Sequence, residues 1–324
     1  MIDFYGRKIN YLRLSVTDRC NLRCRYCMPA DGVPLLPHVK ILTYEELFLI
    51  AQTAVPLGIE KIRVTGGEPL VRKGILGFLS HLAGIPGLRQ LVLTTNGLLL
   101  EEMAEPLKSA GVQRLNISID SLDLANFLRI TRRGDMTRVI AGIAAAERAG
   151  FPIKLNVVVM RGVNDHEVVD FATLTLDKPY AVRFIEFMPS VAEEGDWRSS
   201  VVPGREILDR IAKRFPIVEI DREELAGPAK NYRIQDAAGT IGVITPVSGH
   251  FCRDCNRIRV TASGTARGCL FSKEETDLKP MLRKGDAQGL KKALIGIVRF
   301  KPGKHRLGSD EPGKSLLEMS RVGG

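Results

Sequence analysis

Cys20-Asn21-Leu22-Arg23-Cys24-Arg25-Tyr26-Cys27 carries three cysteines in a C-x3-C-x2-C spacing, just after an apolar-rich run over residues 11–16. Three thiolates packed that closely can converge on one soft metal centre. A cubane iron–sulfur cluster normally takes four cysteines, yet no further cysteine occurs before Cys252. One iron would then lack a protein ligand and stay open to a small molecule, which a plain electron carrier does not need. The plainer readings are a three-cysteine zinc site completed by a distant histidine, or three unrelated core thiols.

The run over 11–16 is the first of six short segments rich in Val, Ile and Leu; the others cover 61–65, 90–94, 114–119, 153–159 and 182–187. Buried parallel strands read this way. Amphipathic stretches separate them over 43–57, 72–83, 101–110, 136–149 and 167–176, several ending at a glycine such as Gly58, Gly111 or Gly150. Repeated strand–helix units predict a parallel sheet. Eight units would close a barrel and six suggest a partial, open one; a doubly wound sheet fits the same pattern. The pattern breaks after Met188-Pro189, so a domain boundary is expected near residue 200. Beyond it the sequence predicts a helix over 205–215 and short strands near 217–220, 232–235, 240–244 and 257–261. Residues 300–324, rich in Gly, Lys and Arg, read as a flexible basic tail ending in Gly323-Gly324.

The strand ends are polar. Gly66-Gly67-Glu68-Pro69 follows the second strand, where adjacent glycines let a ligand approach the backbone. The third ends in Thr94-Thr95-Asn96-Gly97; the fourth carries Asn116, Ser118 and Asp120, the fifth Lys154 and Asn156, the sixth Arg183, Glu186 and Met188. Buried strands rarely tolerate such residues without partners, and lining a polar cavity would explain them. Arg19, Arg23 and Arg25 are expected to surround the first thiolates and offset their charge.

The chain has 324 residues, 44% hydrophobic and 26% charged, with a net charge of +10. Residues 201–324 hold 23 Lys and Arg against 15 Asp and Glu, so most of the excess lies there. A basic C-terminal part suggests an anionic partner, a nucleic acid or a triphosphate. One Trp, few aromatics and no nucleic-acid-binding motif weigh against the first. No apolar run approaches the roughly 20 residues of a membrane span, and the start lacks an apolar signal core. A cytoplasmic protein with reduced thiols is expected. The other three cysteines form a second group, Cys252-Arg253-Asp254-Cys255 and Cys269. By spacing alone it fits either zinc completed by His250 or a second open cluster. Arg257 and Arg259, two apart on a predicted strand, share one face beside it and suit carboxylate or phosphate.

The first cysteine spacing, with an aromatic before its last cysteine, and Gly66-Gly67-Glu68-Pro69 resemble the radical S-adenosylmethionine (SAM) superfamily. From Arg7 onward the chain resembles the GTP 3',8-cyclase (MoaA) family of molybdenum cofactor biosynthesis. The motifs that carry this are Ser15-Val16-Thr17-Asp18-Arg19-Cys20, Ile62-Arg63-Val64-Thr65-Gly66-Gly67-Glu68-Pro69, Thr94-Thr95-Asn96-Gly97 and Arg183-Phe184-Ile185-Glu186-Phe187-Met188, with the Gly-Gly end. The second cysteine triad with Arg257 and Arg259 narrows the resemblance from the superfamily to this family.

The resemblance implies an α/β fold: a partial (β/α)6 open barrel over 1–200, then a smaller α+β domain over 201–299 carrying a second cluster, then the tail. It implies two [4Fe–4S] clusters, on Cys20, Cys24 and Cys27 and on Cys252, Cys255 and Cys269, with SAM as cofactor. The implied reaction converts GTP to 3',8-cyclo-7,8-dihydro-GTP, a 5'-deoxyadenosyl radical removing the ribose 3' hydrogen. The second cluster holds the guanine and is a candidate source of the final electron. Carried over by position, SAM contacts fall on Tyr26, Gly67, Ser118 and Met188. GTP contacts fall on Arg13, Arg63, Thr94, Lys154, Arg257 and Arg259, with the backbone of Ile258. The tail's Gly-Gly end is expected in the active-site cavity. Implied partners are a one-electron reductant such as flavodoxin or ferredoxin, and cyclic pyranopterin monophosphate synthase as receiver of the product. No membrane or nucleic-acid partner is implied, and monomer and homodimer stay open. The alternatives are another radical SAM enzyme with an auxiliary cluster, or a zinc-stabilised nucleic-acid-binding protein.

Overall fold

The computed structural model describes residues 1–189, 196–249, 251–272 and 274–305. Six strands, β1 (Tyr11–Ser15), β2 (Lys61–Thr65), β3 (Gln90–Thr95), β4 (Arg114–Ser118), β5 (Ile153–Val159) and β6 (Ala181–Glu186), run parallel and side by side in chain order. A doubly wound sheet reverses its strand order at a switch point. This order never reverses, so the sheet is the wall of an open barrel.

Helices α1 (Tyr44–Ala54), α2 (Ile75–Ala83), α3 (Leu100–Ser109), α4 (Leu124–Thr131), α5 (Met136–Arg148) and α6 (Val168–Asp177) connect the strands. Local chemistry sets their starts. The Thr43 hydroxyl accepts from the Glu46 amide at 3.2 Å while the Glu46 carboxylate accepts from the Thr43 amide at 2.8 Å, satisfying two otherwise orphaned donors. Helix α4 was not expected; it is short and starts where Asp123 accepts from the Asn126 amide at 2.7 Å.

Each strand turns one set of side chains to the helices and the other inward. On β5, Ile153, Leu155, Val157 and Val159 are buried in the core, while Lys154, Asn156 and Val158 line a central cavity. The period-two alternation hidden in an apolar strand is thus what delivers polar groups inside.

The C-terminal part contributes α7 (Gly204–Ala212), β7 (Ile217–Ile220), β8 (Lys230–Ile234), β9 (Thr240–Ile244), β10 (Arg257–Val260), β11 (Thr265–Arg267), β12 (Thr276–Asp277), α8 (Lys279–Lys284) and α9 (Ala287–Arg299). It is α+β, but its strands do not form a sheet of their own. β10 pairs parallel with β1, and β9 pairs parallel with β6, so both edges of the open barrel are covered. One sheet of twelve strands results among the described residues. Of the residues assigned to the tail, Lys301 and His305 are buried and Phe300 is exposed. Gly323-Gly324 and His250 lie outside the described residues. Among the described residues no helix is long and apolar enough to cross a membrane.

Candidate active site

One cavity holds both cysteine groups. Cys20, Cys24 and Cys27 line it together with Cys252, Cys255 and Cys269, and none of the six is in a disulfide. Every side chain expected to bind SAM or GTP lines the same cavity except Ile258. The Ile258 side chain packs in the core, so only its backbone, between Arg257 and Arg259, can serve a ligand.

The loop of the first triad is fixed from behind by α4. The Arg23 and Arg25 amides donate to the Thr131 and Ile130 carbonyls at 3.0 and 2.9 Å. Arg132, in the left-handed region at φ 62°, donates from its guanidinium to the carbonyls of Arg23 and Met28 at 3.0 and 2.9 Å. The arginines expected around the thiols divide. Arg19 and Arg25 are exposed, and Arg23 donates to the carbonyls of Cys20 and Leu22, both at 2.8 Å. Arg23 holds the loop and also acts on the Cys20 thiol in the expected direction, whereas Arg19 and Arg25 face solvent.

Two acids stand near these thiols. Glu68 accepts from the Leu70 amide (3.0 Å), the Thr95 hydroxyl (2.9 Å) and the Asn96 amide (2.7 Å), and burial pushes its carboxyl up to about 7. Asp120 accepts from the Tyr26 hydroxyl at 2.9 Å and the Val158 amide at 2.8 Å; burial pushes it up to about 6. Burial first, and Glu68 in addition, pushes the Cys20 thiol up to about 11, and Cys24 is raised by burial and Asp120.

Gly66 and Gly67 are required by the chain itself. A β-carbon on Gly67 would stand 2.3 Å from the Arg19 carbonyl oxygen, and one on Gly66 2.7 Å from that of Thr17. The turn after β2 therefore seats directly on the segment leading into Cys20. Glu186, expected inside the cavity, is not there. It accepts from the amides of Gly204 (2.7 Å), Val247 (2.8 Å) and Ser248 (2.9 Å) and from the Ser248 hydroxyl, fixing the chain toward Cys252.

The other end of the cavity is cationic. Arg259, Arg13 and Arg63 lie in one register row across β10, β1 and β2; Arg257, Tyr11 and Lys61 form the row before it. Thr94, Asn116 and Lys154 form a third across β3, β4 and β5. Neighbouring residues in a parallel register share a face, so the sheet itself gathers these charges. Sequence reading passes over Lys61 and Arg114, though each lies two residues from a position it selects, Arg63 and Asn116. Arg183, noted as polar but given no ligand, completes the set. A β-carbon on Gly242 would collide with the Arg183 guanidinium, so this glycine makes the room it needs.

Burial and then mutual repulsion lower these cations: Lys61 falls to about 7, Arg183 to about 10 and Arg259 to about 9, with Arg13 and Lys154 also well below their usual values. Arg183 Nη1 is buried without a hydrogen-bond partner among the described residues. Of the acids, Glu223 reaches this end, where it pairs with Arg114 at 3.1 Å. Buried cations crowded together in this way fit a polyanion.

The second triad shares that character. The Arg257 guanidinium lies 3.9 Å from Cys255 Sγ. Burial raises the Cys255 thiol, but Arg257 and Lys301 outweigh it and bring the group down to about 6. Arg7 donates to the Cys252 carbonyl at 2.7 Å and the Pro302 carbonyl at 2.8 Å, its charge balanced by Asp3 at 2.6 Å. Three soft thiol donors at each end of the cavity fit two iron–sulfur clusters, each with an iron left for a ligand.

The chain matches the family model of the Radical SAM superfamily over residues 14–175 and that of Molybdenum Cofactor Synthesis C over 180–307. It is 60% identical over 325 residues to the GTP 3',8-cyclase of Geobacter sulfurreducens (strain ATCC 51573 / DSM 12127 / PCA), covering 100% of this chain and 99% of that protein. The GTP 3',8-cyclases of Pelotomaculum thermopropionicum (48%) and Moorella thermoacetica (46%) match along 100% of both chains. Among solved structures, Streptococcus suis SuiB bound to S-adenosylmethionine shares the fold at a TM-score of 0.57 and 13% identity, over 89% of this chain and 68% of that one. By identity along its whole length, and by family models that match both of its halves, the chain belongs to the GTP 3',8-cyclase family of radical SAM proteins.

Proposed function

We propose that the protein converts GTP to 3',8-cyclo-7,8-dihydro-GTP, consuming SAM, in molybdenum cofactor biosynthesis. The observation that carries this reading is the single cavity with an open-cluster triad at each end and a buried cation set beside the second. With SAM and two [4Fe–4S] clusters bound, the cofactors supply the one-electron cleavage that starts the reaction and a site for the guanine. Everything else falls to the chain.

Cys20, Cys24 and Cys27 hold the first cluster, and Cys252, Cys255 and Cys269 the second. Tyr26, Gly67, Ser118 and Met188 hold SAM, whose sulfonium suits the end where Glu68 and Asp120 stand. Arg13, Arg63, Thr94, Lys154, Arg257 and Arg259, with the Ile258 backbone, hold GTP, and Lys61, Arg114 and Arg183 add charge for the triphosphate. Cations fixed by a sheet need no rearrangement to meet the phosphates, so binding energy goes into aiming the ribose. Wall and edge strands exclude water and stray reductant from the reacting carbon. Residues 1–200 carry the SAM chemistry and 201–299 the second cluster.

The protein works in the cytoplasm, where the thiols stay reduced. It draws electrons from a flavodoxin or ferredoxin and passes its product to cyclic pyranopterin monophosphate synthase. The test is anaerobic reconstitution with iron and sulfide, then incubation with GTP, SAM and a reductant. Two cubane clusters per chain, with the cyclic nucleotide and 5'-deoxyadenosine formed together, are expected. A reconstituted protein that cleaves SAM but leaves GTP unchanged would overturn the reading.

A further inference from the structure

Strands β10 and β11 form an antiparallel hairpin, with Arg259 opposite Arg267 and Val260 opposite Ala266. Toward its open end the ladder stops, and the two arms lead to Cys255 and Cys269. Lys301, just past the end of α9, is inserted there. Its ammonium donates to the Arg257 carbonyl at 2.9 Å and to the Gly268 carbonyl. Arg257 lies two residues after Cys255, and Gly268 directly precedes Cys269. One side chain therefore spans the two arms that carry two of the three thiols.

The position is built for this. Lys301 is 3% exposed. A β-carbon on Gly268 would stand 3.2 Å from the Lys301 Cα, so the glycine lets the two backbones close up. Arg7, another buried cation at this triad, has Asp3 as its counter-ion. Among the described residues Lys301 has no carboxylate within ion-pair distance; the acidic groups that act on it are Cys255 and Cys269 themselves. A buried ammonium costs several kcal/mol unless compensated. Here the compensation is the thiolate pair and what it binds.

We propose that Lys301 is a positioning residue of the second triad, fixing the separation of Cys255 and Cys269 and lending the cluster there a buried positive charge that favours its reduced state. The inference rests on the assignment of that triad to a cluster. A fixed cation beside a cluster of negative charge stabilises the added electron. Lys301 touches no reacting atom; it acts through the cysteines.

The test uses the full-length chain carrying Cys24→Ala, so that only the second cluster assembles, with Lys301→Gln, Lys301→Arg and Lys301→Met added singly. Iron per chain and the midpoint potential, followed by electron paramagnetic resonance, are measured. Gln keeps two donors for the two carbonyls and loses the charge. Its cluster should assemble but accept an electron at least tenfold less favourably, about 59 mV for a one-electron couple. Arg should stay closer to the parent, and Met should lose iron as well as potential. A parental potential in Lys301→Gln overturns the proposal. If Lys301→Met fails to fold, the Gln and Arg chains still decide. Failure of the underlying assignment looks different: Cys255→Ala would then keep the iron that this triad is held to bind.

Discussion

Around the first triad the acids Glu68 and Asp120 add to burial in raising Cys20 and Cys24, against a smaller opposing effect of Arg23 on Cys20; at the second triad the cations Arg257 and Lys301 lower Cys255. The thiol count is the same and the setting is opposite. Cys20 is pushed up to about 11, whereas Cys255 is drawn down to about 6. On the proposed function, the surrounding groups sort the ligands: a sulfonium to the acid end, a triphosphate and its base to the cationic end. The two sites are also built differently. The first sits in one long loop between β1 and α1, held by Arg132. The second sits on the two arms of the β10–β11 hairpin and is tied by Arg7 and Lys301, which come from near the two ends of the described chain.

Loss of a cysteine gives the largest effect and separates the two ends. Cys24→Ala should abolish 5'-deoxyadenosine formation. Cys255→Ala should stop cyclisation while sparing uncoupled SAM cleavage. Chromatography of the products checks both, and cyclisation at the parental rate by Cys255→Ala would make the second triad structural only.

Next comes Arg259→Ala. A hydrogen bond to a charged group contributes about 1.5–3 kcal/mol, so the Kd for GTP should rise by about 10- to 100-fold. SAM affinity should be unchanged. Calorimetric titration with each ligand distinguishes a local loss from a global one.

Arg132→Ala should loosen the first loop alone. The first cluster should then give up its iron to a chelator several times faster while the second keeps its rate. Arg25→Ala is the matched control: an exposed surface change costs within about 0.5 kcal/mol, so neither rate should move. Equal effects of the two substitutions would show that the guanidinium of Arg132 does not hold the loop.

The smallest effect is a pH dependence. Burial, then Arg63 and Arg114, lowers Lys61 to about 7. Its charge is present below that value and lost as pH rises through it in the free protein. GTP binding should weaken from about one unit below to about one unit above. The γ-phosphate titrates nearby with the opposite sign, so the comparison is with Lys61→Met, where the weakening should vanish. An identical pH profile in the two proteins would remove Lys61 from the binding set.

The parallel barrel is legible in the sequence because six apolar runs alternate with capped amphipathic helices. Strand order is what periodicity leaves open, since a barrel and a doubly wound sheet share the same local pattern. The pairing of β10 with β1 is not legible at all: it joins residues more than two hundred positions apart. Of the site, the cysteines and the paired glycines announce themselves. Lys61 and Arg114 do not, because a single cation opening a strand is ordinary; only its phase of two with Arg63 or Asn116 marks it. Helix α4 is too short to show a periodic face, yet it carries the first loop. Lys301 gives no local signal, since it stands among Gly and Lys in what reads as a tail, and its burial is decided by the hairpin it enters.

The central claim is that one cavity has two ends with separate ligands. Electron paramagnetic resonance of the two single-cluster proteins, Cys255→Ala and Cys24→Ala, tests it most directly. SAM should perturb the spectrum of the cluster left in Cys255→Ala and GTP that of the cluster left in Cys24→Ala, with no effect in the crossed pairs. A GTP-induced change at the first cluster, or a spectrum of the second that GTP leaves untouched, would contradict the account.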